Sequence, residues 1–157
     1  MAGSEKTGPN LTRRRMLLAG AAAAAGFGYW WQRRQPPDHD YPRLTAAQAF
    51  VQAQAGEIIL VDIRTPREWR ASGVPAGSHQ IDMRREDFID ALQAVAGPDL
   101  AAPVALICAR GVRSARITLK LAEAGYTNVI DVPEGMLGSA AGMGWIAGNL
   151  PVARWNG

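Results

Sequence analysis

The sequence predicts an α/β fold, with an open, mainly parallel sheet and helices on both of its faces. From residue 41 onward, short apolar segments typical of buried strands alternate with segments that have helical periodicity. Four segments fit strands: 57–63, 79–83, 104–107 and 128–132. Connections that pass through a helix join parallel strands and cover both faces of a sheet, so this alternation favours the α/β class.

The first two helices of the domain are marked by residues that commonly start or stop helices. Thr45 is a plausible N-cap for a helix over 46–55, and Gly56 is a plausible stop. Thr65 and Pro66 mark the start of a short helix, because proline is well tolerated at the first helical position.

Three more helices complete the pattern. A helix over 86–96 ends at Gly97, and a second begins at Val112 and ends before Gly125. A short, loose helix surrounds Trp145 in a stretch rich in glycine and alanine. We interpret this tryptophan as a core residue.

The composition is that of a globular domain with a small excess of positive charge. The chain has 157 residues, 48% of them hydrophobic, and a formal net charge of +3. Because arginines before residue 35 supply much of this charge, we expect no nucleic-acid partner. The single cysteine excludes an internal disulfide, and without a Cys or His cluster of zinc spacing no metal site is predicted. We interpret His39 as a solvated linker residue and His79 as the start of a strand.

Residues 1–34 have the pattern of an export signal or membrane anchor. Arg13 and Arg14 precede an apolar, alanine-rich run over 16–31, and two further arginines follow it. The arginine pair resembles a twin-arginine export signal. A helix packed within the domain is the alternative, but an alanine-rich helix without a polar stripe makes a poor amphipathic partner.

A proline-containing linker over 35–40 then leads to the folded domain, 41–157. The apolar run is shorter than the roughly 20 residues of a comfortable membrane span, yet it ends in aromatic residues typical of a membrane interface. The excess of positive charge before the run predicts a cytoplasmic N-terminus. We therefore expect the domain to be anchored at the periplasmic face of the inner membrane, or to be released into the soluble periplasm after cleavage.

Cys108 lies where an α/β fold commonly binds ligands. It follows the apolar strand over 104–107 and precedes the helix that begins at Val112. Backbone N–H groups of such a loop, the helix dipole and the charges of Arg110 and Arg113 all stabilise a thiolate, which is the nucleophilic form. A cysteine at the end of an apolar strand is often only a small buried hydrophobe, but a glycine and two arginines within five residues favour a reactive role.

The length of this loop separates two chemistries. Four residues lie between Cys108 and Arg113, whereas cysteine phosphatases and low-molecular-weight arsenate reductases have five. The longer loop surrounds a tetrahedral oxyanion. The tighter ring of N–H groups expected here suits a single sulfur atom better.

The loop resembles that of the rhodanese family of single-domain sulfurtransferases, in which a six-residue loop starts at the cysteine that carries a persulfide. Residues 108–113, followed by Ser114, fit this pattern. Two further segments, 62–69 and 144–152, are similar to other motifs of the family. The resemblance covers roughly residues 41–153 and implies a sheet of about five strands.

Some positions outside the loop need separate interpretation. Segment 73–78 lacks a histidine that the family often has there, and Glu134 stands where the family has the first residue of a Gly-Gly pair. The Glu134 carboxylate is a candidate to face the cysteine loop and to change the preferred donor. Asp62 and Arg64, at a predicted strand end, are interpreted as a structural pair rather than as catalytic groups.

The resemblance implies a thiosulfate sulfurtransferase of the rhodanese type that needs no cofactor. Cys108 is then the catalytic nucleophile, and it moves a sulfane sulfur from thiosulfate or a related small-molecule donor to a thiol or cyanide acceptor. Five residues are expected to bind the substrate sulfur through the loop: Ala109, Arg110, Gly111, Val112 and Arg113. Two alternatives stay open: a sulfur-carrier or sensing module without turnover, and a cysteine-dependent phosphatase or arsenate reductase.

Overall fold

The computed structural model describes residues 11–157, apart from the side chains of 11–15 and 20–22. Two compact units are present, one ending at Gln35 and the other spanning Pro36–Gly157. The elements in chain order are α1 (Leu11–Gln32), α2 (Ala46–Gln54), β1 (Ile59–Asp62), α3 (Pro66–Ser72), β2 (Val74–Pro75), β3 (His79–Gln80), α4 (Phe88–Ala96), β4 (Val104–Ile107), α5 (Val112–Glu123), β5 (Val129–Val132), α6 (Gly144–Ala147) and β6 (Val152–Ala153).

The described part of the first unit contains α1, whose aromatic residues near the end are exposed. The ring of Phe27 packs against those of Trp30 and Trp31, and the guanidinium of Arg34 lies 3.8 Å from the centre of the Trp30 ring. Within the described range, no helix has both the length and the apolarity needed to cross a membrane. The predicted arginine pair, Arg13 and Arg14, lies outside the described side chains. The export signal or membrane anchor stays a prediction.

The second unit is built on a four-stranded sheet in the order β3-β1-β4-β5, in which every pairing is parallel. The α/β prediction is therefore confirmed, and each of the four predicted strands is present. Beyond them, β2 and β6 form a separate antiparallel pair of two residues each. Two residues are too few to show the alternation that identifies a strand in a sequence.

The helix starts at Thr45 and Thr65 are confirmed by their hydrogen bonds. Each threonine side chain accepts a hydrogen bond from the backbone N–H three residues later, and the side chain of that residue accepts one in return. Helix α4 begins two residues later than predicted. The reason is that the carboxylate of Asp87, at its N-cap, pairs with Arg85 instead of capping the helix.

The central strands are buried on both faces, as expected for a parallel sheet between two helical layers. One face packs against α4 and α5, and the other packs against α2 and α6. Trp145 is fully buried in the second layer, and its Nε1 donates a hydrogen bond to the carbonyl of Pro151 at 2.8 Å. This agrees with its interpretation as a core residue.

The interpretation of His39 as a solvated linker residue is wrong. Its side chain is buried, and its Nε2 lies 3.3 Å from Oδ2 of Asp131 on β5. The chain before α2 is held there because the N–H of Asp131 donates to the Pro42 carbonyl and the N–H of Leu44 donates to the Asp131 carbonyl. These bonds extend the sheet beyond β5, and they place His39 against the folded domain.

Asp62 and Arg64 form a buried ion pair that joins the end of β1 to the end of α3. Nη2 of Arg64 lies 2.6 Å from Oδ2 of Asp62, and neither side chain is more than 2% exposed. The remaining guanidinium donors reach Oγ of Ser72 and the carbonyl of Gly73, both at 2.7 Å. Every polar side-chain atom of the pair is therefore hydrogen-bonded to protein, although burial removes these atoms from water. This is the condition for burying charge.

We predict that Arg64→Leu lowers the free energy of unfolding by about 3–5 kcal/mol, because it leaves Asp62 buried without a partner. Urea unfolding of the full chain measures the change. A matched control is Arg84→Leu, since Asp82 and Arg84 have the same spacing in the sequence and also form an ion pair at 2.6 Å, but with Arg84 exposed. Equal destabilisation by the two substitutions would contradict the role given to burial.

Candidate active site

Cys108 directly follows β4, at the carboxyl end of the sheet, and is 1% exposed. Its Sγ lies 3.7 Å from Oγ of Ser114 in the first turn of α5. The Ser114 hydroxyl donates a hydrogen bond to the carbonyl of Gly111 at 3.1 Å. The serine therefore connects the sulfur to the loop that follows it.

The cysteine loop, residues 108–113, packs backbone to backbone against the segment that follows β5. Gly111 has φ +80°, and a Cβ at this position would lie 2.2 Å from the carbonyl oxygen of Pro133. Gly135 has φ +66°, and a Cβ there would lie 2.6 Å from the carbonyl of Ala109. Both positions therefore require glycine, for conformation and for space.

Hydrogen bonds across this contact hold the start of the loop. The N–H groups of Met136 and Leu137 donate to the carbonyls of Cys108 and Ala109, each at 2.9 Å. In contrast, none of the backbone N–H groups of 109–113 donates to another group of the described chain. The loop thus has its first carbonyls engaged and a consecutive set of N–H donors free, beside the N-terminus of α5.

Arg113 forms a two-point ion pair with Glu68 of α3, at 2.9 and 2.5 Å. The hydrogen bonds from Arg113 lower the pKa of Glu68 to about 2, against the opposing effect of partial burial. The same contact raises the pKa of Arg113, and the charge of the Cys108 sulfur contributes further to the increase. Arg113 therefore interacts with both the carboxylate and the sulfur, and much of its charge is already compensated.

The other predicted loop residues differ in exposure. Arg110 is exposed and has no ion pair among the described residues, so its charge remains directed to solvent. Ala109 and Val112 are half-buried. A second pair, Asp82 and Arg84, lies close enough to Glu68 for its charge to raise the pKa of each member, so the two ion pairs are neighbours.

Sequence reasoning missed an acidic residue beneath the loop. Asp131 on β5 is 1% exposed, and its Oδ1 has no hydrogen-bond partner among the described groups. Burial raises the pKa of this carboxyl, and the hydroxyl of Ser114 and the ring of His39 counteract part of the increase. The available signal was a lone acidic residue in an otherwise apolar strand. Glu68 was also missed as the partner of Arg113.

Glu134 lies beside the loop segment but is engaged elsewhere. Its Oε2 accepts a hydrogen bond from the N–H of Gly144, at the start of α6, at 3.1 Å. Its carboxylate is half-buried and helps to hold the glycine-rich stretch over 138–144. In the described part of the chain, no group of three or more His, Cys, Asp or Glu residues is arranged to hold a metal ion.

The chain is similar to known proteins in sequence and in fold. The model of the rhodanese-like domain family matches residues 45–141. An uncharacterized protein of Rickettsia rickettsii is 29% identical over 98 residues, which cover 59% of this chain and 80% of that protein.

Solved structures show the same fold. The polysulfide-sulfur transferase homodimer of Wolinella succinogenes superposes with a TM-score of 0.57 at 25% identity, covering 74% of this chain and 80% of that one. Rv0390 of M. tuberculosis also has a TM-score of 0.57, at 26% identity, covering 74% and 100%. A Rhodopseudomonas palustris protein described as a possible tyrosine phosphatase shares the fold at 21% identity and a TM-score of 0.54, with 98% and 99% covered.

We predict that Glu68→Gln destabilises the protein at pH 6 and has much less effect at pH 3. The pKa of Glu68 is lowered to about 2 in the folded state, so its ion pair stabilises the fold above the ordinary value of 4.5. This contribution is lost as the pH falls from about 4.5 towards 2. Urea unfolding at both pH values measures the difference from wild type.

Glu86→Gln is the control for this experiment, because Glu86 is exposed and lies just before α4. Comparison with wild type at each pH removes the contributions of all other carboxyl groups, including Asp131. A difference between wild type and Glu68→Gln that stays constant from pH 6 to pH 3 would contradict the proposed ion-pair energetics.

Proposed function

Because the chain belongs to the rhodanese-like domain family, we propose that it is a sulfurtransferase that works through a persulfide on Cys108. The observation that carries this proposal is the cysteine loop itself. It places a single sulfur at the start of a loop whose N–H groups over 109–113 have no acceptor among the described residues. An anionic sulfur is a suitable acceptor for such donors.

In the first half-reaction, the thiolate of Cys108 attacks the outer sulfur of thiosulfate. A new sulfur–sulfur bond forms, the original bond of thiosulfate breaks, and sulfite leaves with the electron pair of that bond. Cys108 is left as a persulfide anion. The free loop N–H groups hold this anion, and Gly111 allows the backbone to approach it closely because it has no Cβ.

In the second half-reaction, a thiol or cyanide attacks the outer sulfur and regenerates the Cys108 thiolate. No oxidation or cofactor is needed, because the sulfane sulfur is transferred without a net change of electrons in the protein. Exposed Arg110 is suited to attracting the dianionic donor. Arg113 is suited mainly to holding the loop, because Glu68 already compensates its charge.

The donor that we propose is thiosulfate or a related compound with a sulfane sulfur. Polysulfide belongs to this class, and the structural neighbour from Wolinella succinogenes is described as a polysulfide-sulfur transferase. Both donors present a terminal sulfur to the nucleophile, and the remainder of each donor leaves as a stable anion. The chemistry at Cys108 is the same for either.

We also propose that residues 1–34 act as an export signal or membrane anchor for the domain. The support is the arginine pair before the apolar run and the exposed aromatic residues at its end, which include Trp30 and Trp31. The domain is then at the periplasmic face of the inner membrane, or in the soluble periplasm after cleavage.

We predict that thiosulfate adds the mass of one sulfur atom to the wild-type chain and that Cys108→Ser abolishes this addition. Intact mass spectrometry detects the persulfide, and thiocyanate formation from cyanide measures turnover. The serine hydroxyl is far less acidic than a thiol, so we expect activity to fall to background in a folded variant.

The control is the double variant Cys108→Ser/Thr127→Cys, which places a cysteine at an exposed position before β5. It contains a thiol without the loop and should form no stable persulfide. A persulfide without thiocyanate formation would identify a carrier or sensing module. Hydrolysis of a phosphoester, or reduction of arsenate, without persulfide formation would replace the sulfurtransferase proposal with the phosphatase or arsenate reductase alternative.

We predict that a C-terminally tagged full chain is found in the periplasmic or membrane fraction, accessible to protease in spheroplasts. Replacing Arg13 and Arg14 with lysine should retain it in the cytoplasm, because a twin-arginine route requires the pair. The matched control replaces Arg33 and Arg34, which follow the apolar run, and should leave export unchanged. If the tag on the wild-type chain were in the cytoplasm and protected from the protease, the proposed location would be contradicted.

A further inference from the structure

A cavity of about 510 Å³ lies where β6 and the residues after it pack beside α3. We call it the α3–β6 cavity. Its lining residues come from two segments, 69–73 and 152–156, so no residue of the cysteine loop contributes to it. Volumes of roughly 300–1,000 Å³ are typical of sites for small organic molecules. The cavity is therefore a separate place at which such a molecule could bind.

Close backbone contacts hold the two segments that form the cavity. β6 pairs with β2 in antiparallel register, and the N–H of Ala76 donates to the Pro151 carbonyl at 3.0 Å. Gly73 follows α3 with φ +70°, and a Cβ at this position would lie 2.4 Å from Cγ1 of Val152. The position therefore requires glycine, which lets β6 approach the end of α3. The walls of the cavity are thus fixed by the fold.

Two tryptophans provide aromatic surface and a free hydrogen-bond donor. The rings of Trp69 and Trp155 have their centres 5.1 Å apart, at an interplanar angle of 59°. Trp69 is 4% exposed, and its buried Nε1 has no hydrogen-bond partner among the described residues. An indole N–H can only donate, and a buried donor without an acceptor is costly. This group would gain from an acceptor supplied by a ligand.

The charged residues that line the cavity are both arginines. Arg70 and Arg154 are exposed, and neither forms an ion pair with a described residue. The guanidinium of Arg70 lies 5.1 Å from the centre of the Trp155 ring, an arrangement typical of a cation–π contact. None of the described lining residues is acidic. The cavity thus combines positive charge with donors and offers no carboxylate to a cation.

A purely structural role explains only part of this arrangement. Exposed arginines are often only solvated, and the ring contact also holds the segment after β6 against α3. The ring contact does not provide an acceptor for Nε1 of Trp69, and solvation does not account for a cavity whose described charges are of one sign. An anionic ligand would satisfy both features, because it supplies acceptors and negative charge together.

We propose that the α3–β6 cavity binds a small organic anion, a molecule with a carboxylate or phosphate group and an aromatic body. Arg70 and Arg154 attract the anionic group, and Trp69 is a further donor to it. Trp155 supplies an aromatic surface for the body of the molecule. The proposal does not rest on the function proposed for Cys108, because no residue of the cysteine loop lines the cavity.

The test is an NMR titration of the full chain in which the indole N–H signals of Trp69 and Trp155 are followed. Each signal is assigned from the spectrum of the corresponding Trp→Phe variant. The probes are benzoate and phenyl phosphate, with benzyl alcohol as the neutral control and benzylamine as the cationic control. We expect both signals to shift saturably with the two anions and not with the controls. The tighter anion identifies the group, carboxylate or phosphate, that the cavity prefers.

Substitutions then locate the bound anion. Arg70→Ala and Arg154→Ala should each weaken binding by about fivefold, because charge interactions at exposed positions are modest. Arg154→Lys keeps the charge and should weaken it less. The matched control is Arg67→Ala, which removes an exposed arginine of α3 that does not line the cavity. Its affinity should equal that of wild type.

Three outcomes would overturn the proposal. One is that neither anion gives a saturable shift, and another is that benzyl alcohol binds as tightly as benzoate. The third is that the double variant Arg70→Ala/Arg154→Ala keeps the wild-type affinity while Arg110→Ala loses it, since the anion would then be bound at the cysteine loop.

A further measurement needs no variant and so does not depend on the folding of any substituted chain. Raising sodium chloride from about 0.05 M to about 0.5 M should weaken benzoate binding several-fold, because salt screens the attraction between exposed charges. An affinity of the wild-type chain for benzoate that is unchanged by salt would contradict recognition by the two arginines.

Discussion

The structure depends on one backbone contact, between the cysteine loop and the segment that follows β5. Gly111 packs against the carbonyl of Pro133, and Gly135 packs against the carbonyl of Ala109. Two backbone hydrogen bonds cross the same contact and end on the carbonyls of Cys108 and Ala109. This contact fixes the loop by its carbonyls and leaves its N–H groups without acceptors in the described chain. In the proposed function, stabilisation of an anionic sulfur at Cys108 is thus a property of the backbone, prepared before any substrate binds.

The charged side chains around the cysteine loop, apart from exposed Arg110, are paired with one another, although the sequence predicted that Arg113 would bind substrate. Arg113 is bound by Glu68, so its guanidinium joins α5 to α3. Asp131 places a buried carboxyl on the strand next to β4, and the ring of His39 contacts it. The site therefore combines the ion pair of Arg113 and Glu68 with a set of N–H dipoles that have no acceptor in the described chain.

Sequence patterns predicted the strands and helix starts, which neighbouring residues determine. They missed the contacts between residues that are far apart in the chain. Apolar runs and capping threonines are local, and they gave the four strands and the starts of α2 and α3. Asp62 with Arg64 and Asp82 with Arg84 have the same spacing, yet only the first pair is buried, because burial is decided by the surrounding fold. The contact of His39 with Asp131 joins residues 92 apart, and no local pattern marks it.

The folded unit extends beyond the region that the family match covers. That match begins at residue 45, whereas His39 and the backbone bonds of Pro42 and Leu44 to Asp131 precede it. These bonds continue the sheet at β5, the strand whose following segment supports the cysteine loop. A segment that was predicted to be a linker is consequently part of the folded unit. A chain cut at the boundary of the family match would keep the cysteine loop but lose the backbone bonds that extend the sheet beside β5.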